Sequence, residues 1–229
     1  MNLNNIGIVF ADTSRSRCYL KALIKNNLIP GYALILFNEK NSIIAGQKKI
    51  TSKKEIVKML NEANINYEKI NNSNINHSSV IKLIKNRSEK VFIFSGYGGA
   101  ILKEKILSIG KKFLHVHGGY LPDYKGSTTN YYSLIQENKM GASAIFLTKD
   151  IDSGHILLRK KFSAPKNRKL IDHKYDSEIR TKVLISCIKK YIKFKNWKFE
   201  KKNNLGGETF FIIHPVLKHL AILSDRKFS

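Results

Sequence analysis

Apolar runs alternate with amphipathic stretches through the first two thirds of the chain. Continuous apolar runs at residues 6–11, 32–37 and 91–94, the segment F-L-H-V-H at 113–117 and a further strand at 144–148 are the predicted buried strands. Helical spacing of apolar positions predicts the helices that separate them, at residues 15–26, 52–62, 78–85 and 101–109. Regular alternation of strand and helix predicts an α/β protein: a Rossmann-like, mostly parallel sheet with helices on both faces.

Side chains at helix starts sharpen two of these boundaries. Ser14 is the expected N-cap of the first helix. Ser52 with Glu55 three residues later has the spacing of a capping box, so we expect a helix to begin there.

The pattern changes after Phe162. A polar, basic loop is expected at 164–174, a long helix at 176–194, a strand at 208–213 and a short helix at 215–223. We therefore predict a catalytic domain over residues 1–163 and a basic helix–strand extension, residues 164–229, that packs on it.

A parallel sheet places its working loops after the carboxyl ends of its strands. The first strand is followed by Ala-Asp-Thr-Ser and not by a glycine-rich fingerprint, and the chain has no Walker A motif. A nicotinamide dinucleotide fold and a P-loop enzyme are therefore not expected.

The most informative cluster ends the 113–117 strand. His115 and His117 are two residues apart, so a strand would direct both to one face, about 6.6–7 Å apart along it. Gly118 and Gly119 follow, permitting a sharp turn with room for a substrate. A single histidine on a strand is usually a satisfied core residue, but this pair, with a downstream Asp152-Ser-Gly, favours a site.

Two segments carry a resemblance to a known family: F-L-H-V-H-G-G-Y-L-P-D-Y-K-G at 113–126 and D-I-D-S-G-H-I-L at 150–157. The histidine at a strand end, the Leu-Pro, the aromatic, the basic residue and glycine, and the later Asp-x-Gly together resemble the folate-dependent formyltransferases. The resemblance runs from about residue 91 to 157, and it implies the formyltransferase fold.

The family uses an Asn, a His and an Asp. The resemblance places the family His on His117 and the Asp on Asp152, while His115 stands in the Asn position. It implies that His117 accepts the amine proton, that Asp152 orients its ring and that residue 115 donates to the oxyanion. Because His replaces Asn, three outcomes stay open: a two-histidine enzyme with a shifted pH optimum, another acyl donor or a hydrolysis, and a weak or binding-only relic.

The resemblance also implies 10-formyltetrahydrofolate as co-substrate, with loops 95–102 and 148–151 around its pterin. The folate contacts expected there are Gly96, Tyr97, Gly98, Gly99, Ile101 and Asp150. The expected acceptor contacts are Ser14, Arg15, Arg17, Gly118, Gly119, Thr128 and Asn130. Flexible turns, helix capping and solvated arginines are the competing structural interpretations.

The charge balance bears on the acceptor. Lys and Arg total 41 against 17 Asp and Glu, a net charge of +24, which favours an anionic partner, although a lysine-rich compositional bias is an alternative. With the resemblance, the leading function is N-formylation of a small anionic acceptor, a nucleotide-linked amino sugar of surface glycans. Initiator tRNA is a weaker acceptor candidate, since the family's tRNA enzymes carry a substantial additional C-terminal domain. Glycinamide ribonucleotide is also weaker, because the family Asn is missing here and the C-terminal segment is basic.

A basic nucleic-acid-binding module is the non-enzymatic alternative, suggested by aromatic residues among the lysines of 189–202. We favour it less, because such aromatics usually pack on a core. The 42% hydrophobic content excludes a disordered protein. We expect buried cysteines, no metal and no membrane span, and hence a cytoplasmic protein with folate as a partner; a homodimer is one assembly compatible with these expectations.

Overall fold

The computed structural model describes residues 1–37, 48–201 and 204–224, and of residues 48–54 only the main chain. Its strands are β1 (Asn2–Ala11), β2 (Ile29–Leu36), β3 (Tyr67–Ile70), β4 (Val91–Ser95), β5 (Lys112–His117), β6 (Tyr124–Gly126), β7 (Lys139–Phe146), β8 (Ile156–Ser163) and β9 (Glu208–Phe210). Its α-helices are α1 (Ser14–Lys25), α2 (Lys48–Glu62), α3 (Ser78–Asn86), α4 (Glu104–Leu107), α5 (Thr129–Glu137), α6 (Asp176–Phe194) and α7 (Pro215–Leu223). The chain divides into two compact units at His115/Val116.

The first unit is built on parallel strands in the order β3-β2-β1-β4-β5. At its centre, Ile8, Val9 and Phe10 of β1 are completely buried. Burial on both faces explains why these strands are continuous apolar runs. The strands predicted from those runs are confirmed.

In the second unit the end of β5 continues the strand order to β7 and β8, so the described chain has the order β3-β2-β1-β4-β5-β7-β8. β8 pairs antiparallel with β7, which makes the sheet mostly but not wholly parallel. The strand predicted at 144–148 is longer and earlier than expected. The sequence pattern did not predict β8, because the C-terminal half of this strand is polar and basic.

Helix ends differ from several expectations. Thr13, not Ser14, caps α1: its hydroxyl accepts a hydrogen bond from the Ser16 main-chain N at 3.1 Å. The second helix begins at Lys48, so Ser52 lies inside the helix and not at its start. The Ser52 side chain, which the expected capping box requires, falls outside the described residues. α4 is a single turn, not the helix expected over 101–109.

The C-terminal part departs from prediction mainly at residues 164–174. There the loop contains a 3-10 turn at Arg168–Leu170 and a π-helical turn at Ile171–Tyr175 that leads into α6. The two helices expected at 176–194 and 215–223 are confirmed as α6 and α7. Only Glu208–Phe210 of the expected strand is extended, and it pairs in parallel with β6. The predicted division at residue 163 falls inside the second unit and stays a prediction.

Two aromatic residues of the basic segment, Tyr191 and Trp197, stack on each other, while Phe194 and Phe199 remain 49% and 45% exposed. Trp197 stacks on Tyr191 with ring centroids 4.2 Å apart and meets the edge of Phe146 at 5.3 Å. Phe199 lies 5.1 Å from the His155 ring. These contacts occupy aromatic faces that a nucleic-acid platform would need for base stacking. Among the described helices, none combines the length and apolar character needed to cross a membrane.

Candidate functional site

The site in the second unit is centred on His117, the last residue of β5. Its side chain is almost fully buried, with 5% of its surface exposed. The ring Nδ1 lies 3.2 Å from Asp152 Oδ2, and Nε2 lies 2.7 Å from the main-chain oxygen of Tyr124. The structure therefore brings together two of the three catalytic residues that the sequence predicted.

Asp152 is presented by the short turn between β7 and β8. Its φ of +50° is in the left-handed region, which Asp tolerates better than most side chains. The carboxylate also accepts a hydrogen bond from the Gly126 main-chain N at 2.9 Å. At Gly154 a Cβ would overlap the Phe146 carbonyl. The last residue of Asp-Ser-Gly must therefore be glycine for the turn to close.

Two glycines after His117 allow close internal packing. A Cβ at Gly119 would collide with Tyr124 O, His117 Nε2 and Thr129 Oγ1, and one at Gly118 would meet the Arg180 guanidinium. The space expected to receive a substrate is thus filled by the protein's own groups. Acceptor contact by these glycines stays a prediction.

Burial determines the protonation of His117. Loss of hydration lowers the pKa of the ring, the Asp152 carboxylate opposes that shift, and the Arg180 cation reinforces it. The Tyr124 carbonyl and Asp176 act in the same direction as Asp152, but the net shift is downward. A neutral imidazole near pH 7 is the form that can take up a proton.

The two contacts of His117 compete for one hydrogen. Both the Tyr124 carbonyl and the Asp152 carboxylate are acceptors, whereas a neutral ring has a single N–H. When Nδ1–H donates to Asp152, Nε2 carries the lone pair. That tautomer is the one in which Nε2 can act as a base.

A second layer of polar contacts was missed by the sequence analysis. Arg180 Nε donates to Asp176 Oδ1 at 2.9 Å, and its Nη1 donates to the Val116 carbonyl at 3.2 Å. Asn130 Nδ2 also donates to Asp176, at 2.7 Å, and its Oδ1 accepts from Gly141 N at 3.2 Å. The i,i+4 spacing of Asp176 and Arg180 at the start of a long predicted helix was the available signal.

Among the predicted acceptor contacts, Asn130 and Thr128 have internal partners. The Asn130 amide is engaged by Asp176 and Gly141 as just described. The Thr128 hydroxyl accepts from the Ile213 main-chain N at 2.8 Å and lies 3.3 Å from the Phe211 carbonyl. Their assignment to the acceptor stays a prediction.

His115 belongs to the first unit and is half-buried. Its Nδ1 is 3.3 Å from the Phe94 main-chain oxygen, and its ring centroid is 6.4 Å from that of Phe94. A neutral ring that donates Nδ1–H to this carbonyl carries a lone pair at Nε2. A donor role for Nε2 then requires a second proton.

The predicted phosphate contacts also lie in the first unit. Arg15 donates to Ser95 Oγ at 3.2 Å and to the Gly96 carbonyl at 2.7 Å. Arg17 forms an ion pair with Asp12, while Ser14 is the first residue of α1. These contacts tie α1 to the loop after β4, and a phosphate role stays a prediction.

The predicted folate contacts fall on two loops. After β4, Gly98 and Gly99 are exposed with open space where a Cβ would lie, and Gly99 has a φ of +77°. A Cβ at Gly96 would meet the Phe94 ring. Burial raises the pKa of Tyr97, with a further contribution from Asp12. Ile101 is 56% exposed, and Asp150 lies in the exposed turn of the second unit.

Comparison with known proteins identifies a shared family. The model of the family described as formyl transferase matches residues 4–176. A methionyl-tRNA formyltransferase of Mycoplasmopsis pulmonis is 37% identical over 82 residues, which are 35% of this chain and 28% of that protein. The chain thus matches less than a third of this curated relative's length.

Solved structures show the same fold. A sugar N-formyltransferase from a Shewanella species superposes with a TM-score of 0.62 at 13% identity, covering 95% of this chain and 86% of that one. An N-formyltransferase from Helicobacter canadensis, solved with folinic acid and dTDP-3-aminofucose, gives a TM-score of 0.60 at 15% identity, covering 90% and 70%.

Replacing Gly119 by Ala should displace the His117 ring, because the added methyl would occupy the space of Nε2 and of the Tyr124 carbonyl. We expect a loss of about 1–3 kcal/mol in the free energy of unfolding, measured by urea denaturation. Gly98→Ala is the matched control, since nothing lies within 4 Å of its Cβ position. Equal stability of the two variants would contradict this packing.

The lowered pKa of His117 predicts a pH-dependent stability. Because the folded pKa is below the unfolded value of about 6.5, the contribution of His117 is complete above that pH and is lost as pH falls. The free energy of unfolding should fall below pH 6.5 by up to about 1.4 kcal/mol per pH unit more in wild type than in His117→Asn. Identical slopes for wild type and His117→Asn would refute the assignment.

Proposed function

This chain belongs to the formyl transferase family, and on that premise we propose that it transfers a formyl group from 10-formyltetrahydrofolate to the amine of a nucleotide-linked amino sugar. The observation that carries the proposal is the buried His117–Asp152 contact of 3.2 Å, formed by two residues inside the family match. A neutral buried imidazole held by a carboxylate is suited to accept one proton and to pass it on.

The chemistry assigned to this pair is acyl transfer to nitrogen. The amine nitrogen forms a bond to the formyl carbon, the bond from that carbon to folate N10 breaks, and the amine proton passes to His117 Nε2. The products are a formamide and tetrahydrofolate, with the proton returned to N10 or to solvent. Asp152 accepts Nδ1–H and stabilises the imidazolium while it exists.

Proton uptake requires an exchange at Nε2. This atom now faces the Tyr124 carbonyl at 2.7 Å, so the amine must take the place of that oxygen. The loop from Gly118 to Gly126 carries Tyr124 and is the segment whose adjustment would permit the exchange.

For the co-substrate, the exposed backbone at Gly98 and Gly99 supports a contact surface for a planar ring, because no side chain covers it. Gly96, Tyr97, Ile101 and Asp150 complete the folate contacts that we propose. The Helicobacter structure with folinic acid supports a reduced folate as the donor.

The acceptor proposal has two supports. The structurally similar Helicobacter protein was solved with dTDP-3-aminofucose, and the net charge of +24 favours an anionic ligand. Arg15 and Arg17 are the proposed phosphate contacts, where a guanidinium can pair with two phosphate oxygens. A homodimer and a cytoplasmic location are the assembly and setting that we propose for this reaction.

His117→Gln should lower turnover by about 10²–10⁴-fold, since the base is removed. Asp152→Asn should have an effect of similar size, because an amide that donates to Nδ1 moves the ring proton to Nε2. Steady-state assays with 10-formyltetrahydrofolate and dTDP-amino sugars test both variants. His155→Gln, at an exposed histidine in the same turn, is the control, and near-normal turnover of either site variant would refute the mechanism.

His115→Asn should retain formyl transfer and remove the loss of activity at high pH. The reason is that an Asn amide donates at every pH, whereas a His115 whose Nδ1 bonds to Phe94 O donates from Nε2 only when doubly protonated. The pH profile of kcat measures this, together with tetrahydrofolate release with and without the amino sugar. Complete loss of transfer would show that the imidazole has a role that Asn cannot fill, and tetrahydrofolate release that needs no acceptor would favour hydrolysis.

A further inference from the structure

Asn204 holds the turn that carries Asp152. Its side chain is 94% buried, with 6% exposed. Nδ2 donates to the Asp152 carbonyl at 2.6 Å and to the Gly154 carbonyl at 2.9 Å. One amide thus fixes the main chain on both sides of Ser153, at the tip of the connection between β7 and β8.

These two bonds matter because the Asp152 backbone is in a sparsely populated conformation. A non-glycine residue with a φ of +50° persists only where its surroundings maintain it. The direction of the carboxylate follows from that φ. Without the Asn204 donors, the buried Gly154 carbonyl and the part-buried Asp152 carbonyl would lose this partner, and the turn would have reason to relax.

Asn204 is itself anchored to the opposite side of the site. Lys125, a buried residue of β6, donates from Nζ to the Asn204 main-chain oxygen at 3.0 Å. Its neighbour Gly126 donates to Asp152 Oδ2. Residues 125, 126, 152 and 204 therefore form a closed ring of contacts around the carboxylate, in which Asn204 joins the β6 strand to the Asp152 turn.

Asn204 lies outside the segment matched by the family model, which ends at residue 176. We propose that Asn204 is a positioning residue of this site, which holds the Asp152 turn and so keeps the carboxylate against His117. The catalytic consequence rests on the proposed function; the structural one does not.

The charged groups that face His117 can be separated. Arg180 and Asp176 of α6 bind each other, and Arg180 also binds the Val116 carbonyl. Asn204 Nδ2 donates instead to the Asp152 and Gly154 carbonyls. Loosening Asn204 should therefore weaken the influence of Asp152 on the ring while leaving the other two charges in place.

The test uses Asn204→Leu in the full chain, which keeps a similar volume, adds no charge and removes both donors. The matched control is Lys190→Met, which also removes donors to two main-chain carbonyls, those of Leu157 and Lys198. The first readout is the pKa of His117, measured from the pH dependence of the NMR signals of its ring nitrogens. The His117→Gln variant assigns these signals. This pKa measurement is independent of any enzymatic activity.

In Asn204→Leu the His117 pKa should move downward, because the displaced carboxylate no longer opposes the effect of burial. In Lys190→Met the His117 pKa should equal the wild-type value. In assays, kcat of Asn204→Leu should fall about tenfold to a hundredfold with little change in KM. A structural role alone would lower thermal stability in both variants and leave the His117 pKa unchanged.

The outcomes distinguish the two proposals. An unchanged His117 pKa in folded Asn204→Leu would overturn the positioning role. A shifted pKa in a protein with no formyl transfer to any amino sugar would support it while refuting the proposed function. If Asn204→Leu does not fold, Lys125→Met, which removes the anchor of Asn204, should shift the same pKa downward, and absence of that shift would overturn the inference.

Discussion

The arrangement of the second unit depends on keeping one carboxylate against one buried imidazole. Burial alone disfavours an imidazolium at His117, and Asp152 supplies the opposing negative charge. That balance requires the two side chains to stay within hydrogen-bond distance. Gly119 permits the close approach of the ring to the following loop, and Gly154 permits the tight turn that presents the carboxylate. Both glycines are thus explained by packing within the protein.

The same imidazole is bordered by acceptors on both nitrogens. In this state the Tyr124 carbonyl occupies the position from which a substrate N–H would approach Nε2. A neutral ring has a single N–H for these two acceptors. The Tyr124 contact also links the reactivity of His117 to the conformation of the loop from Gly118 to Gly126. The end of this loop is strand β6, which pairs with β9. Strand β9 is therefore connected to the site through main-chain contacts.

The basic composition is consistent with an anionic acceptor but does not locate one. Several acids within the described residues are engaged by basic side chains, as in the pairs Arg159–Glu200 and Lys161–Glu137. The net charge of +24 is therefore an excess distributed over the chain. It can attract phosphate by long-range field, whereas the choice of acceptor depends on specific contacts. Among the aromatic residues between the lysines, Tyr191 and Trp197 stack on each other and Trp197 also meets Phe146, which removes these two rings from a base-stacking surface.

The sequence alone determined the alternation of strands and helices, the family resemblance and the pairing of His117 with Asp152. The alternation follows from local periodicity, whereas the pairing is what the family resemblance implies for these two residues. The sequence could not predict the antiparallel strand β8. Only the first residues of β8 are buried, and its C-terminal half is polar and basic, so it has no continuous apolar run. Nor could it reveal Tyr124, Arg180 or Asn204 beside the site, since their roles arise from main-chain carbonyls and long-range contacts. Only the tertiary structure decides which distant amide meets which carbonyl, because that depends on how the turns bring separated segments together.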